Sequence, residues 1–184
     1  MQTRRMMMSK KKSDLPYEPL EYLVFDGTLI FDTGYNGNQT IYIYTKFQRT
    51  DASAAHYLFG CSSGNRLTGY LNQSGYWRYG TAYPTFNTKS TDTIYEAEVT
   101  PSKTTINGSS KSFSVNEFTT AYTIPVGGHK PSSGVATPQF KGHLYYFKME
   151  KDGAVVVDWI PVRRLSDGAE LFWDKVTEQF VEPL

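Results

Sequence analysis

From Tyr22 onward, no stretch of ten or more residues carries a helical apolar period; short alternating runs are punctuated by Gly, Pro, Asn and Asp instead. Strands are predicted near 22–25, 29–32, 40–49, 56–61, 67–72, 76–80, 93–100, 103–107, 111–115, 121–127, 140–150, 153–160 and 171–173. Ile41, Ile43, Thr45 and Phe47 fall on one face of a strand, with Tyr42, Tyr44 and Lys46 on the other. Leu144, Tyr146, Lys148 and Glu150 alternate in the same way with His143, Tyr145, Phe147 and Met149. Asn107-Gly108, Asp152-Gly153 and Ser74-Gly75 sit between strand pairs and supply the positive φ angles of tight hairpins. Gly127–Thr137, bracketed by prolines, reads as a long loop, and Thr50 or Asp51 could cap a short helical turn near Asp51–Ala55. Thirteen strands with regular turns predict an all-β sandwich or barrel.

The 184 residues fit one domain and suffice to bury a core. Residues 1–14 read as a basic flexible arm with Arg4, Arg5, Lys10, Lys11 and Lys12, and 15–184 as the folded domain. The arm is either a solvated tail or an anchor that orders against an acidic partner. Its apolar content is the triplet Met6–Met8, short of the roughly 7–15 residues of a signal core. Synthesis in the cytoplasm is therefore expected. No run approaches the roughly 18 apolar residues of a membrane span. A net charge of +1 gives no footprint for nucleic acid or a membrane surface. The one cysteine, Cys61, has no intrachain disulfide partner and reads as a small buried hydrophobe.

Chemical signatures are sparse. Glu96 and Glu98 have the i, i+2 spacing of two carboxylates on one strand face, which a retaining glycosidase requires, but a solvent-facing strand has it too. His56, His129 and His143 are scattered without metal-ligand spacing. No nucleophile elbow or phosphate loop is present. The aromatic content is the strongest signal: 14 Tyr, 11 Phe and 3 Trp, where exposed rings beside amides would take a sugar. With a two-residue turn at Ser74-Gly75, Asn72 pairs with Trp77 and Tyr70 with Tyr79, so these four share one face. That face is either a stacking platform or, because Trp77 and Tyr79 alternate as core residues do, part of the core. Tyr83 and Phe86, beside Pro84, are loop aromatics. The ligand-binding candidates are Tyr70, Asn72, Trp77, Tyr79 and Tyr83.

The opening Pro16–Leu23, then Phe25-Asp26-Gly27-Thr28 and Phe31-Asp32-Thr33-Gly34, resembles the start of a laminin-G-like, concanavalin A-like jelly-roll domain. Such domains occur in phage and prophage structural proteins of gut bacteria. The close is similar to that family's terminal hairpin and tail: Phe140–Phe147, Val157–Arg164, Ser166-Asp167-Gly168 and Leu171–Asp174. Tyr57–Gly60 also fits. The resemblance implies a two-sheet antiparallel jelly-roll sandwich whose ends meet in one sheet. Its motifs read as architectural, with Arg163 and Arg164 as cross-strand ion-pair partners. Many such domains hold a calcium ion at a sheet rim, which makes Asp51, Asp92 and Asn116 candidate ligands; Asp and Asn at strand ends are also ordinary turn formers.

The expected function is a non-catalytic surface-binding module of a phage virion or appendage that recognises glycan on a host-cell surface. The alternatives are a purely structural virion protein, such as a capsid decoration or fibre subunit, and a glycoside hydrolase. Other virion proteins, reached through the basic arm, and a homo-oligomer are the further partners this reading admits.

Overall fold

The computed structural model describes residues 15–52, 56–61, 66–71, 75–131 and 133–184. The basic arm, Asn72 and most of the expected helical turn at 51–55 lie outside these. The strands are β1 (Tyr17–Pro19), β2 (Leu23–Asp26), β3 (Phe31–Asn38), β4 (Tyr42–Arg49), β5 (His56–Cys61), β6 (Arg66–Leu71), β7 (Tyr76–Gly80), β8 (Ile94–Val99) and β9 (Lys103–Ile106). They continue as β10 (Ser109–Ser112), β11 (Thr119–Val126), β12 (Gly128–His129), β13 (Thr137–Pro138), β14 (Lys141–Lys151), β15 (Ala154–Arg164), β16 (Glu170–Asp174) and β17 (Gln179–Val181). The described residues contain no helix.

Two antiparallel sheets form a sandwich. The larger runs β10-β9-β8-β4-β14-β15-β16-β17, and the smaller runs β3-β11-β5-β6-β7. The start of the chain enters the larger sheet where its longest hairpin splays. β2 pairs with the first residues of β14, and β1 with the last residues of β15. The first and last described strands therefore lie in one sheet, as the terminal motifs imply. The stretch 127–137, expected to be loop throughout, contributes the small β12–β13 pair. The three-residue strands β1 and β17 are too brief to show any alternation.

Alternation explains the layers. On β4, Ile43, Thr45 and Phe47 point inward, joined from the preceding loop by Ile41. Across the interior, Phe47 lies 6.0 Å from Trp77, Phe59 6.0 Å from Phe147, and Phe31 4.9 Å from Phe172. Aromatic pairs at such separations add about 0.5–1.5 kcal/mol each beyond area burial. The uninterrupted alternation expected for 143–150 does not hold. A β-bulge between Leu144 and Tyr146 inserts Tyr145 against β4, and after it Phe147 and Met149 share the core face with Leu144. One extra residue exchanges the faces of everything that follows.

The turn chemistry agrees with the sequence at two hairpins. Asn107 and Gly108 have φ of 47° and 79°, and Asp152 and Gly153 have 53° and 77°, the all-positive pattern of a type I′ turn. Arg163 bonds Glu170 at 2.8 Å and Glu18 at 3.4 Å, while Arg164 pairs with Asp167 at 2.7 Å and with Glu182. Both arginines are thus ion-pair partners that tie the tail to neighbouring strands.

Candidate functional site

The third expected hairpin differs from its prediction, and the difference builds the site. β6 and β7 pair as Tyr70↔Tyr76, Gly69↔Trp77, Thr68↔Arg78 and Leu67↔Tyr79. The connection is longer than a two-residue turn, and the pairing is offset by an odd number of residues from the expected one. Tyr70 therefore does not share a face with Trp77 and Tyr79. It shares the outer face with Tyr76 and Arg78.

Trp77 and Tyr79 are both 0% exposed, so neither belongs to a stacking platform; this corrects their candidacy as ligand contacts. Trp77 sits over Gly69, where a Cβ would come 3.0 Å from its indole ring. The Tyr79 hydroxyl donates to the Ile41 carbonyl at 2.7 Å and lies 3.0 Å from that of Asn38. Burial pushes its phenol well above the ordinary range.

On the outer face, β5 brings Tyr57 opposite Tyr70. The edge of β7 is covered by the segment after it: Trp77 N–H donates to Pro84 O at 2.9 Å, and Phe86 N–H to Gly75 O at 3.0 Å. This places Tyr83, half exposed at 50%, beside Tyr76. A continuous row of side chains results. His129 stacks on Tyr57 at 4.1 Å, Tyr57 meets Tyr70 at 4.5 Å, and Tyr70 lies nearly parallel to Tyr76 at 5.3 Å. Tyr76 meets Tyr83 edge-on at 6.3 Å, and the Arg78 guanidinium rests 3.8 Å over the Tyr83 ring. Tyr57, Arg66, Thr68, Tyr70, Tyr76 and Arg78 enclose a cleft of about 220 Å³.

Burial pushes the Tyr57 phenol up, Tyr70 and Tyr76 add to this, and the Arg66 charge opposes it. Burial pushes His129 down, favouring its neutral ring. Thr68 forms part of the lining yet is only 2% exposed, and its Oγ1 has no hydrogen-bond partner among the described residues. Gly60, opposite Thr68, leaves the room this requires: a Cβ there would lie 2.6 Å from Thr68 Cγ2. Of the expected contacts, the structure brings together Tyr70 and Tyr83. It adds Tyr57, Arg66, Tyr76, Arg78 and His129.

The outer face of the larger sheet carries a wider groove of about 590 Å³, lined by Tyr44, Tyr146, Lys46, Glu96 and Glu98 among others. Its charges are already paired. Glu96 bonds Lys46 at 3.1 Å, and Glu98 lies 3.9 Å from Lys103. The Glu96 and Glu98 side chains are 69% and 37% exposed, each beside a lysine. Asp51 lies 3.8 Å from Lys141 and 4.0 Å from His56. Asp92 sits in a turn, its N–H bonded to Ser90 Oγ at 3.2 Å, and Asn116 is exposed in the segment before β11. Among the described residues, no three His, Cys, Asp or Glu side chains converge as metal ligands.

No family model matches the chain, and no curated protein matches its sequence. Among solved structures it is similar to the mouse laminin alpha1 chain, domains LG4-5, with a TM-score of 0.50 and 17% identity. The match covers 72% of this chain and 41% of that one, so the chain spans about two-fifths of the solved structure's length. At that identity the likeness establishes the fold: a laminin-G-like jelly-roll.

Proposed function

We propose that the chain is a non-catalytic binding module that recognises cell-surface glycan through the cleft on the outer face of its smaller sheet. The observation that carries this reading is the cleft itself. Four tyrosines and two arginines line or flank one pocket without contributing to the core, and among the described residues neither arginine pairs with a carboxylate. At about 220 Å³ the cleft is below the roughly 300–1,000 Å³ of drug-sized sites, so it suits one ring-sized group. Tyr70 and Tyr76 lie nearly parallel, as do Tyr57 and His129, so these faces are partly covered. What the rings offer a ligand is edges and phenolic hydroxyls, which suit a hydroxylated partner.

A site of this size gives modest affinity, in the millimolar to micromolar range, or about −4 to −8 kcal/mol. Adhesion then requires several copies acting through avidity. The opening and closing segments resemble a laminin-G-like jelly-roll domain of a kind common in phage and prophage structural proteins, and on that resemblance such copies sit on a virion or appendage. A multivalent display of the protein on an array of bacterial surface glycans tests the reading. Selective retention is expected, with loss on Tyr70→Ala in protein that still unfolds cooperatively and whose midpoint falls by no more than its two lost ring contacts account for. Failure to hold any glycan, or retention indifferent to Tyr70→Ala, overturns it in favour of a structural role.

A further inference from the structure

Arg66 and Arg78 are neighbours by construction. Arg66 pairs with Gly80 and Arg78 with Thr68, so the two arginines are diagonal on one face of adjacent strands. Diagonal positions on a sheet lie about 7–8 Å apart, within reach of each other's long side chains. Both line the cleft. Neither forms an ion pair with any carboxylate among the described residues, whereas Arg163, Arg164, Lys46, Lys103, Lys130, Lys141, Lys148 and Lys175 all do. Two like charges side by side repel, and a site that keeps them so gains when an anion enters.

Three further features of the cleft have the same polarity. The buried Thr68 Oγ1, unpartnered among the described residues, is placed to donate a hydrogen bond. The parallel arrangement of Tyr70 and Tyr76, and of Tyr57 and His129, turns ring edges rather than free faces toward an occupant. The edge of an aromatic ring is the positive part of its quadrupole. Arg78 is held in place by stacking on Tyr83, so part of the entropy cost of fixing its planar fork is already met.

We infer that the cleft takes an acidic sugar residue, with a carboxylate received by Arg66 and Arg78 and the ring hydroxyls by Thr68 and the tyrosine phenols. This deepens the glycan reading and rests on it. A planar guanidinium matches a carboxylate in two-point geometry, which a lysine cannot do. A volume near 220 Å³ admits a single such residue of a polysaccharide. Recognition is then of one charged unit, at a chain end or displayed as a branch.

The test uses the full chain and NMR chemical-shift titration with methyl glucuronide, methyl galacturonide and N-acetylneuraminic acid. The neutral methyl glucoside and methyl galactoside, and inorganic sulfate, are titrated in parallel. At least one acidic sugar is expected to move the Tyr70, Tyr76 and Arg78 signals and to bind at least tenfold more tightly than any neutral sugar. Its affinity should fall steeply with added salt. Arg66→Gln and Arg78→Gln should each weaken it at least tenfold, with Arg66→Lys intermediate, while the thermal midpoint stays within a few degrees. Neutral and acidic sugars binding equally, with the arginine variants unaffected but Tyr70→Ala impaired, overturns the acidic inference and leaves the glycan reading intact. Sulfate binding as tightly as every sugar overturns both and leaves a simple anion site. If no probe shifts any cleft signal, both readings fail.

Discussion

Replacing Trp77 with Ala separates the core from the site more sharply than any other change in the β6–β7 hairpin. The indole is 0% exposed and packs 5.8 Å from Phe59 and 6.0 Å from Phe47, at the centre of the contact between the sheets. Trp or Phe to Ala at such positions costs about 3–5 kcal/mol, because lost transfer energy is joined by a cavity that neighbours fill incompletely. In a domain of this length each kcal/mol lowers the midpoint by roughly 2–4 °C, so a fall of roughly 6–20 °C is expected. The structure adds a finer expectation. Trp77 Nε1 is buried without a hydrogen-bond partner among the described residues, a liability of about 1–3 kcal/mol. Trp77→Phe removes that donor while keeping most of the ring, so its net cost should stay below about 1.5 kcal/mol, as in other volume-tolerant core exchanges. Calorimetry or near-ultraviolet circular dichroism against temperature measures both. A Trp77→Ala variant losing less than about 1 kcal/mol, or losing ligand binding at full stability, would refute the placement of Trp77 in the core and with it the observed register.

Gly60→Ala should be strongly destabilising: φ is +145°, and the new Cβ would sit 2.6 Å from Thr68 Cγ2 and 2.7 Å from the Leu67 carbonyl. Backbone strain alone costs on the order of 1–3 kcal/mol, and urea denaturation with a loss under about 1 kcal/mol would count against this geometry. His129 gives a pH dependence of defined sign. Burial lowers its folded-state pKa below the unfolded value near 6.5, so the unfolded chain binds the proton more readily. Its contribution to stability is complete above about pH 6.5 and is lost as pH falls toward the folded pKa. Thermal midpoints between about pH 5 and 7.5 should therefore converge for wild type and His129→Gln at the acid end. Parallel curves across that range would mean that the histidine is not desolvated as described.

The fold was largely legible because alternation and turn chemistry are local. Ile41, Ile43 and Phe47 face inward because the period of two holds without interruption through β4. Asn107-Gly108 and Asp152-Gly153 turn the chain because their backbones reach positive φ readily. The site was legible only in part, because it depends on register, a property of two strands rather than one. Tyr70 and Tyr83 were within reach of sequence reasoning, but the expected partners Trp77 and Tyr79 belong to the other face. Tyr57 and Arg66 enter from β5 and the far end of β6, and no local pattern ties them to Tyr76. Neighbouring residues did carry one usable signal. In Tyr76-Trp77-Arg78-Tyr79, the lone cation between two aromatics marks the outward face, and reading Tyr76 and Arg78 together with Tyr70 would have recovered three of the six residues that line the cleft.

That same tetrapeptide explains how one strand serves two purposes without conflict. Trp77 and Tyr79 hold the sheets together from below, while Tyr76 and Arg78 stand on the opposite surface, fixed by the same backbone. A ligand site assembled this way inherits rigidity from the core and needs no ordering of its own, which lowers the entropy cost of binding. It also inherits a vulnerability. An insertion or deletion of one residue in β7 would send the arginine inward and an indole outward, losing core and cleft together. Substitutions on the outer face, by contrast, leave the inward packing in place. The lining of the cleft can therefore change at Arg66, Tyr70, Tyr76 and Arg78, while the inward positions between them stay fixed by packing.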